Sequence, residues 1–160
     1  DAMPHNYTAT INWERNCAAF AEHRYSRGHE WRFDGGVTVP ASSSPDSVPL
    51  PFSVANAVDP EEALVAATAS CHMLWFLWLV AQRGFVVESY QDEAYGIMEE
   101  NPEGKVAFSR ITLRPRIQFQ HPQPTAQELE HLHHAAHESC YIANTLRCAV
   151  EVEFPPPPQA

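Results

Sequence analysis

Cys71, in Ala69-Ser70-Cys71-His72, and Cys140, in Ala136-His137-Glu138-Ser139-Cys140, each occupy a polar niche of an otherwise apolar helical pattern. The reactive form of cysteine is the thiolate, so any chemistry here depends on bringing charge to a sulfur that would otherwise stay protonated. The two cysteines read as a thiol redox centre, one attacking an oxidant and the other resolving the product as a disulfide. Arg27 and Glu61 are the best-placed charges. Arg27, in Tyr25-Ser26-Arg27-Gly28, would stabilise a thiolate and later a leaving alkoxide. The commoner role of a cysteine is that of a small buried hydrophobe, and these two meet only if their helices pack.

Glu61 lies ten residues before Cys71, which is about 15 Å along a straight helix. It cannot touch Cys71 within that helix. If Glu61 orients a guanidinium beside the sulfur, the helix breaks or a second copy of the chain brings its own Glu61 across, and the second is the better expectation. A first-turn carboxylate that complements the helix dipole is the bland alternative. His131, His133, His134 and His137 recur at helical spacings that permit a surface metal site, but no cysteine or carboxylate obviously completes it, and a solvated histidine-rich face is expected instead. His72 adjoins Cys71, yet successive helical residues face different directions, which weakens a cysteine hydrolase. Cys17 and Cys148 are expected to be packing residues.

The elements that must position these groups follow from pattern. Tyr7 to Trp13 alternates as a strand, and Glu30 to Val39 reads as a strand pair around Asp34-Gly35-Gly36, with a short helical or irregular Asn16 to Ser26 link between. Prolines from Pro40 to Pro51 predict a loop without a ladder, held against the surface or a partner. Asp59-Pro60-Glu61-Glu62 opens a helix with an N-cap acceptor, proline in the first position and first-turn carboxylates, and Gly84 ends it after Arg83. Phe85 to Glu99 and Val106 to Phe119 read as two long strands around Asn101-Pro102-Glu103-Gly104, with Pro115 marking an edge or bulge. Thr125-Ala126-Gln127-Glu128 is a capping box for a helix to Ser139, Cys140 to Leu146 a short helix, and Ala149 to Phe154 a last strand. The order is ββ-α-ββ-α-α-β, an α+β fold.

At 160 residues and 44% hydrophobic composition, the chain suffices for one domain with a packed core, over residues 3–154, followed by a proline-rich flexible tail at 155–160. Asp1-Ala2 ahead of Met3 reads as an appended remnant. A net charge of −10, with Lys105 the only lysine, argues against a nucleic-acid partner. Four cysteines lack the density of a secreted disulfide scaffold and no charged-then-apolar leader opens the chain, so a reducing, cytoplasmic setting is expected. Ala63 to Ala81 approaches membrane-spanning length, but Thr68, Ser70, Cys71 and His72 interrupt it, and no membrane partner is expected. A soluble helix apolar on every side must be buried on every side. A second chain is the natural wrapping. The main rival to the redox reading is a non-catalytic module holding a fatty acyl or other hydrophobic ligand at such an interface.

Taken together, Asp59-Pro60-Glu61-Glu62-Ala63-Leu64-Val65-Ala66-Ala67 continuing through Ala69-Ser70-Cys71, the Ala136-His137-Glu138-Ser139-Cys140 segment, and Arg27 just before the Glu30 strand resemble the cysteine helix, second cysteine motif and arginine loop of the OsmC/Ohr family. The resemblance spans about Tyr7 to Glu153. It departs where Asp59 replaces the usual Asn, Glu62 the usual Gln, and Tyr141-Ile142-Ala143-Asn144 a common Pro-Tyr-Ser-Asn. His72 and the Trp75, Phe76 and Trp78 cluster look like a side branch of the family.

The resemblance implies antiparallel sheets around long buried central helices in an intertwined homodimer. It also implies a thiol-dependent peroxidase reducing organic hydroperoxides, with Cys71 attacking, Cys140 resolving, and Arg27 and Glu61 activating. No cofactor is implied. The partners would be the hydroperoxide and a dithiol reductant, lipoyl-type or another small thiol. Met73, Trp75, Phe76 and Tyr141 could form an apolar mouth favouring organic peroxides, against the plainer role of core packing.

Overall fold

The computed structural model describes residues 3–154; Asp1-Ala2, and residues 155–160, for which a flexible tail is expected, lie outside them. The chain divides into two compact units, one ending at Ala63 and the other beginning at Leu64.

In the first unit, β1 (Thr10–Asn12), β2 (His29–Arg32) and β3 (Thr38–Ala41) form an antiparallel sheet in that order. The first strand is shorter than its alternation predicts, because only Thr10 to Asn12 finds partners on β2 and Tyr7 and Ile11 have no buried face to occupy. Pro40, expected in a loop, pairs with Glu30 inside β3. An edge strand tolerates the missing N–H, and the Pro40 carbonyl accepts from the Val58 N–H. The loop that follows is anchored by buried Ser42, whose Oγ accepts from Val54 N at 2.9 Å and donates to the Ser43 carbonyl. Phe52 O accepts from the Arg27 N–H at 2.8 Å.

Helix α1 (Pro60–Gln82) begins with a reciprocal box: Glu62 N donates to Asp59 Oδ1 at 2.8 Å and Asp59 N to Glu62 Oε1 at 2.9 Å. Two orphan donors are thereby satisfied. At the other end Gly84 adopts φ +81°, and the Phe85 N–H bonds back to Val80 O, a glycine-terminated helix end.

The second unit wraps α1. The two long strands expected here are each divided, into β4 (Val87–Asp92) and β5 (Tyr95–Glu100), and into β6 (Val106–Leu113) and β7 (Pro115–Phe119). β4 pairs with β7 in one sheet and β5 with β6 in another. Pro115 has no N–H to extend the ladder. Beside it the Arg114 N–H turns to Asp92 Oδ1 at 2.7 Å and its Nε to Glu93 O at 2.8 Å, so both strands break at the same level. Gly96 on β5 admits α1 closely, since a Cβ there would lie 2.5 Å from the Phe108 ring and 3.1 Å from Val65. β8 (Ala149–Val152) joins β6 in parallel, the one non-antiparallel pairing among the described strands, because α2 (Ala126–Ser139) and α3 (Tyr141–Thr145) carry the chain back before it pairs. The Thr125 capping box forms as expected.

α1 is not buried on every side within the chain. Thr68, His72, Phe76 and Val80 form one buried stripe, packed with Leu132 and Ala136 of α2, while Leu74 and Trp78 are 61% and 54% exposed. By length and composition α1 could cross a membrane. Its buried midpoint His72 instead bonds to His133 of α2, so α1 is the core helix of the second unit.

Candidate active site

Cys71 projects from the middle of α1, half-buried, and Cys140 is fully buried at the junction where α2 ends and α3 begins. The two side chains are near enough for Cys71 to act on the Cys140 thiol. All four cysteines are free thiols. Cys140 caps α3, its sulfur accepting from the Ala143 N–H at 3.4 Å. Burial pushes the Cys140 thiol above its ordinary range; the Ala143 and Ile142 N–H groups oppose this, and the adjacent Cys71 side chain adds to it. A thiol so placed keeps its proton.

The arrangement suits a two-cysteine redox reaction, with one accessible sulfur and one buried sulfur waiting beside it. Cys148 is half-buried; Cys17, expected to pack, is exposed instead, at φ +61° in a turn.

Arg27 and Glu61 belong to the first unit and do not form an ion pair with each other. The Arg27 guanidinium donates to the carbonyls of His23 at 2.9 Å and Tyr25 at 2.6 Å and lies 3.7 Å over the Tyr25 ring. Tyr25 in turn stacks on Phe20 at 4.7 Å, with Trp13 edge-on at 5.5 Å. Arg27 is thus a clamped cation rather than a solvated turn residue. Glu61 sits in the first turn of α1.

The four residues expected at the mouth separate. Trp75 and Tyr141 meet edge-to-face at 5.5 Å and, with Leu74 and Trp78, line a cavity of about 320 Å³. Phe76 is wholly buried on the stripe that faces α2, so it packs the core and does not face the cavity. Met73 is half-buried beside Cys71 in sequence and is not among the lining residues.

The histidine-rich face also divides. His131 and His134 are exposed as expected, but His133 is 2% exposed and its Nδ1 lies 3.0 Å from Nε2 of His72, itself 1% exposed. The rings are nearly parallel, and Phe76 stacks on His133 at 4.2 Å. Burial lowers His133 to about 3 and His72 to about 4, each further depressed by a neighbouring imidazole. This pair was hidden in the sequence. The signal that could have found it is spacing: His72 falls between Thr68 and Phe76 on one stripe, and His133 joins Leu129, Leu132 and Ala136 on another.

The family described as OsmC-like protein matches residues 53–154. The chain belongs to the OsmC family. An OsmC-like protein of unknown function from Vibrio cholerae is 46% identical, with a TM-score of 0.93 over 95% of this chain and 100% of that one. At the level of fold alone, an organic hydroperoxide resistance protein from Legionella pneumophila aligns at 18% identity and TM-score 0.67 over 96% of this chain and 97% of its own. An organic hydroperoxide resistance protein of Bacillus subtilis aligns at 16% and 0.64 over 94% and 98%. No curated protein matches the chain. The OsmC fold accounts for the long apolar helix, since in this soluble family such a helix serves as core.

Proposed function

We propose that this OsmC protein is a thiol peroxidase that reduces organic hydroperoxides to alcohols. The observation that carries the reading is the meeting of Cys71 and Cys140, one sulfur half-exposed and the other buried as a protonated thiol. In the reaction the Cys71 thiolate attacks the distal peroxide oxygen, the O–O bond breaks, and the alkoxide takes a proton and leaves as alcohol. Cys71 is then a sulfenic acid. The Cys140 sulfur attacks it, water departs, and a Cys71-Cys140 disulfide remains. An external dithiol reopens it by exchange and is itself oxidised.

Arg27, clamped on Tyr25, is the cation assigned to the thiolate and the leaving oxygen, with Glu61 fixing its orientation. Because Glu61 and Arg27 of one chain do not pair, the reading has a homodimer in which the second copy contributes its own Glu61. The uncovered Leu74 and Trp78 face of α1 is where a second copy would cover apolar surface. The Trp75 and Tyr141 cavity supports a preference for organic over hydrogen peroxide. The free thiols fit a reducing, cytoplasmic setting.

The test uses cumene hydroperoxide with a dithiol. The native protein consumes it and a Cys71→Ser protein does not; consumption by the variant at the native rate ends the reading. Thiol titration after stoichiometric peroxide separates the enzyme, which loses both thiols of the pair, from a hydrophobic-ligand binder whose cysteines only pack, which loses none.

A further inference from the structure

The second unit holds another cavity, of about 400 Å³, between α2 and β8. Val150, Val152 and Phe154 form one wall, and α2 supplies the other from the residues spaced around His131, His134 and His137. Volume and mixed lining are those of a small-molecule site. Among the described residues no three side chains are arranged to hold a metal ion, so the imidazoles must be read by their hydrogen bonds.

His133 decides the chemistry. It lines the cavity although its side chain is almost wholly buried. Its ring is fixed by the bond from Nδ1 to His72, by Phe76 stacked on its face, and by Phe154 edge-on at 5.4 Å. Its Nε2 has no partner among the described residues. The tautomer follows from the far end of the pair: His72 Nδ1 is buried without a partner, and a buried lone pair left unused is less costly than a buried N–H left unused. The His72 proton therefore sits on Nε2 and donates to His133 Nδ1. His133 then carries its own proton on Nε2, toward the cavity. Burial keeps both rings neutral, so this donor is present across the working pH range.

A fixed N–H above an apolar wall asks for an oxygen acceptor on an apolar body. At the rim stand His131, His134 and His137, with Glu130 the one carboxylate of the lining, and His134 lies 4.0 Å from Glu138. We propose that this cavity binds a small organic carboxylate, one oxygen accepting from His133 Nε2–H and the apolar body lying against Val150, Val152 and Phe154. The site uses none of the thiol machinery, so it stands or falls independently of the peroxidase reading.

Phenylacetate is the probe, titrated calorimetrically and by ¹⁵N-imidazole NMR into the full chain at neutral pH. The expected result is saturable binding with Kd below about 1 mM, a shift of the His133 Nε2–H resonance, and affinity for phenylacetamide at least about tenfold weaker. His133→Phe, which keeps the ring stack and removes the donor, should weaken phenylacetate at least about tenfold. Val152→Trp, which fills the cavity and leaves His133 in place, should do the same and keeps the test decisive if the first variant fails to fold. No saturation by about 10 mM, a His133 proton found on Nδ1, equal affinity for the amide, or both variants binding like the native chain would each overturn the proposal.

Discussion

Adjacent residues of α1 enter two different pairs. Cys71 meets Cys140 and His72 meets His133, and on the α2 side the two partners are seven positions, about two helical turns, apart. Both pairs tie α1 to α2, and burial acts on both in the direction of neutrality, raising the Cys140 thiol and lowering both imidazoles. The histidine pair is buried on both rings and stacked on Phe76, reaching only the cavity that His133 lines. The thiol pair is not: one sulfur is half-exposed, and no cation appears among the groups that shift Cys140. A low-dielectric setting by itself produces inert thiols, so under the peroxidase proposal the charge that activates Cys71 has to come from outside the core that holds it. That is the role assigned to Arg27.

The sharpest way to break the comparison is at Cys140. With Cys140→Ser, one equivalent of peroxide should leave Cys71 as a sulfenic acid that dimedone captures in most chains, at least about tenfold more than in the native protein, where the disulfide forms first. Mass spectrometry reads the outcome, and equal labelling would show that the two sulfurs do not react together.

Acid should instead find the histidine pair. Folded His133 and His72 bind protons only near pH 3 and 4, whereas both take them up near 6.5 when unfolded, so the unfolded state binds more protons throughout that window. Stability is complete above about pH 6.5 and falls as pH drops toward 4, by roughly 3–4 kcal/mol between pH 7 and 5 for the two groups together. Urea unfolding at several pH values measures it. A His72→Phe, His133→Phe double variant should lose most of that slope; an unchanged slope would show that other groups cause it.

Phe76→Leu removes the ring stacked on His133 and leaves the thiols' surroundings alone. It should cost about 1–3 kcal/mol in denaturant unfolding, with disulfide formation after peroxide unaffected. The smallest effect is expected at Thr125→Ala, which opens the capping box at the far end of α2 from Cys140. A loss of about 1 kcal/mol is expected, again without change in the thiol reaction; a slowed disulfide step would mean that α2 as a whole sets the approach of the two sulfurs.

Where local chemistry decides structure, the residues were legible. Asp59 and Glu62 close a box around the start of α1, Gly84 ends it, and Thr125 with Glu128 starts α2, because capping needs only residues three or four apart. The thiol pair was legible through its motifs, although nothing in either segment shows that the sulfurs meet. Pro115 was legible as a disruption but not as a simultaneous break of both strands, since that depends on Asp92 taking the Arg114 N–H across the sheet. Phe76 and Trp75 are neighbours of one apolar run; only packing sends the first to the core and the second to the cavity.

The sequence by itself determined the helices and their caps, the placing of strand-forming segments and the family, and it singled out Cys71 and Cys140 as the candidate thiols, since these rest on local hydrogen bonding, periodicity and residue chemistry. Tertiary structure alone decided that β8 pairs in parallel with β6, that His133 leaves its exposed neighbours to bond His72, and that Cys140 is buried as a protonated thiol beside Cys71. Those outcomes depend on burial and on contacts between residues some forty to seventy positions apart, where desolvation changes what the same side chain does.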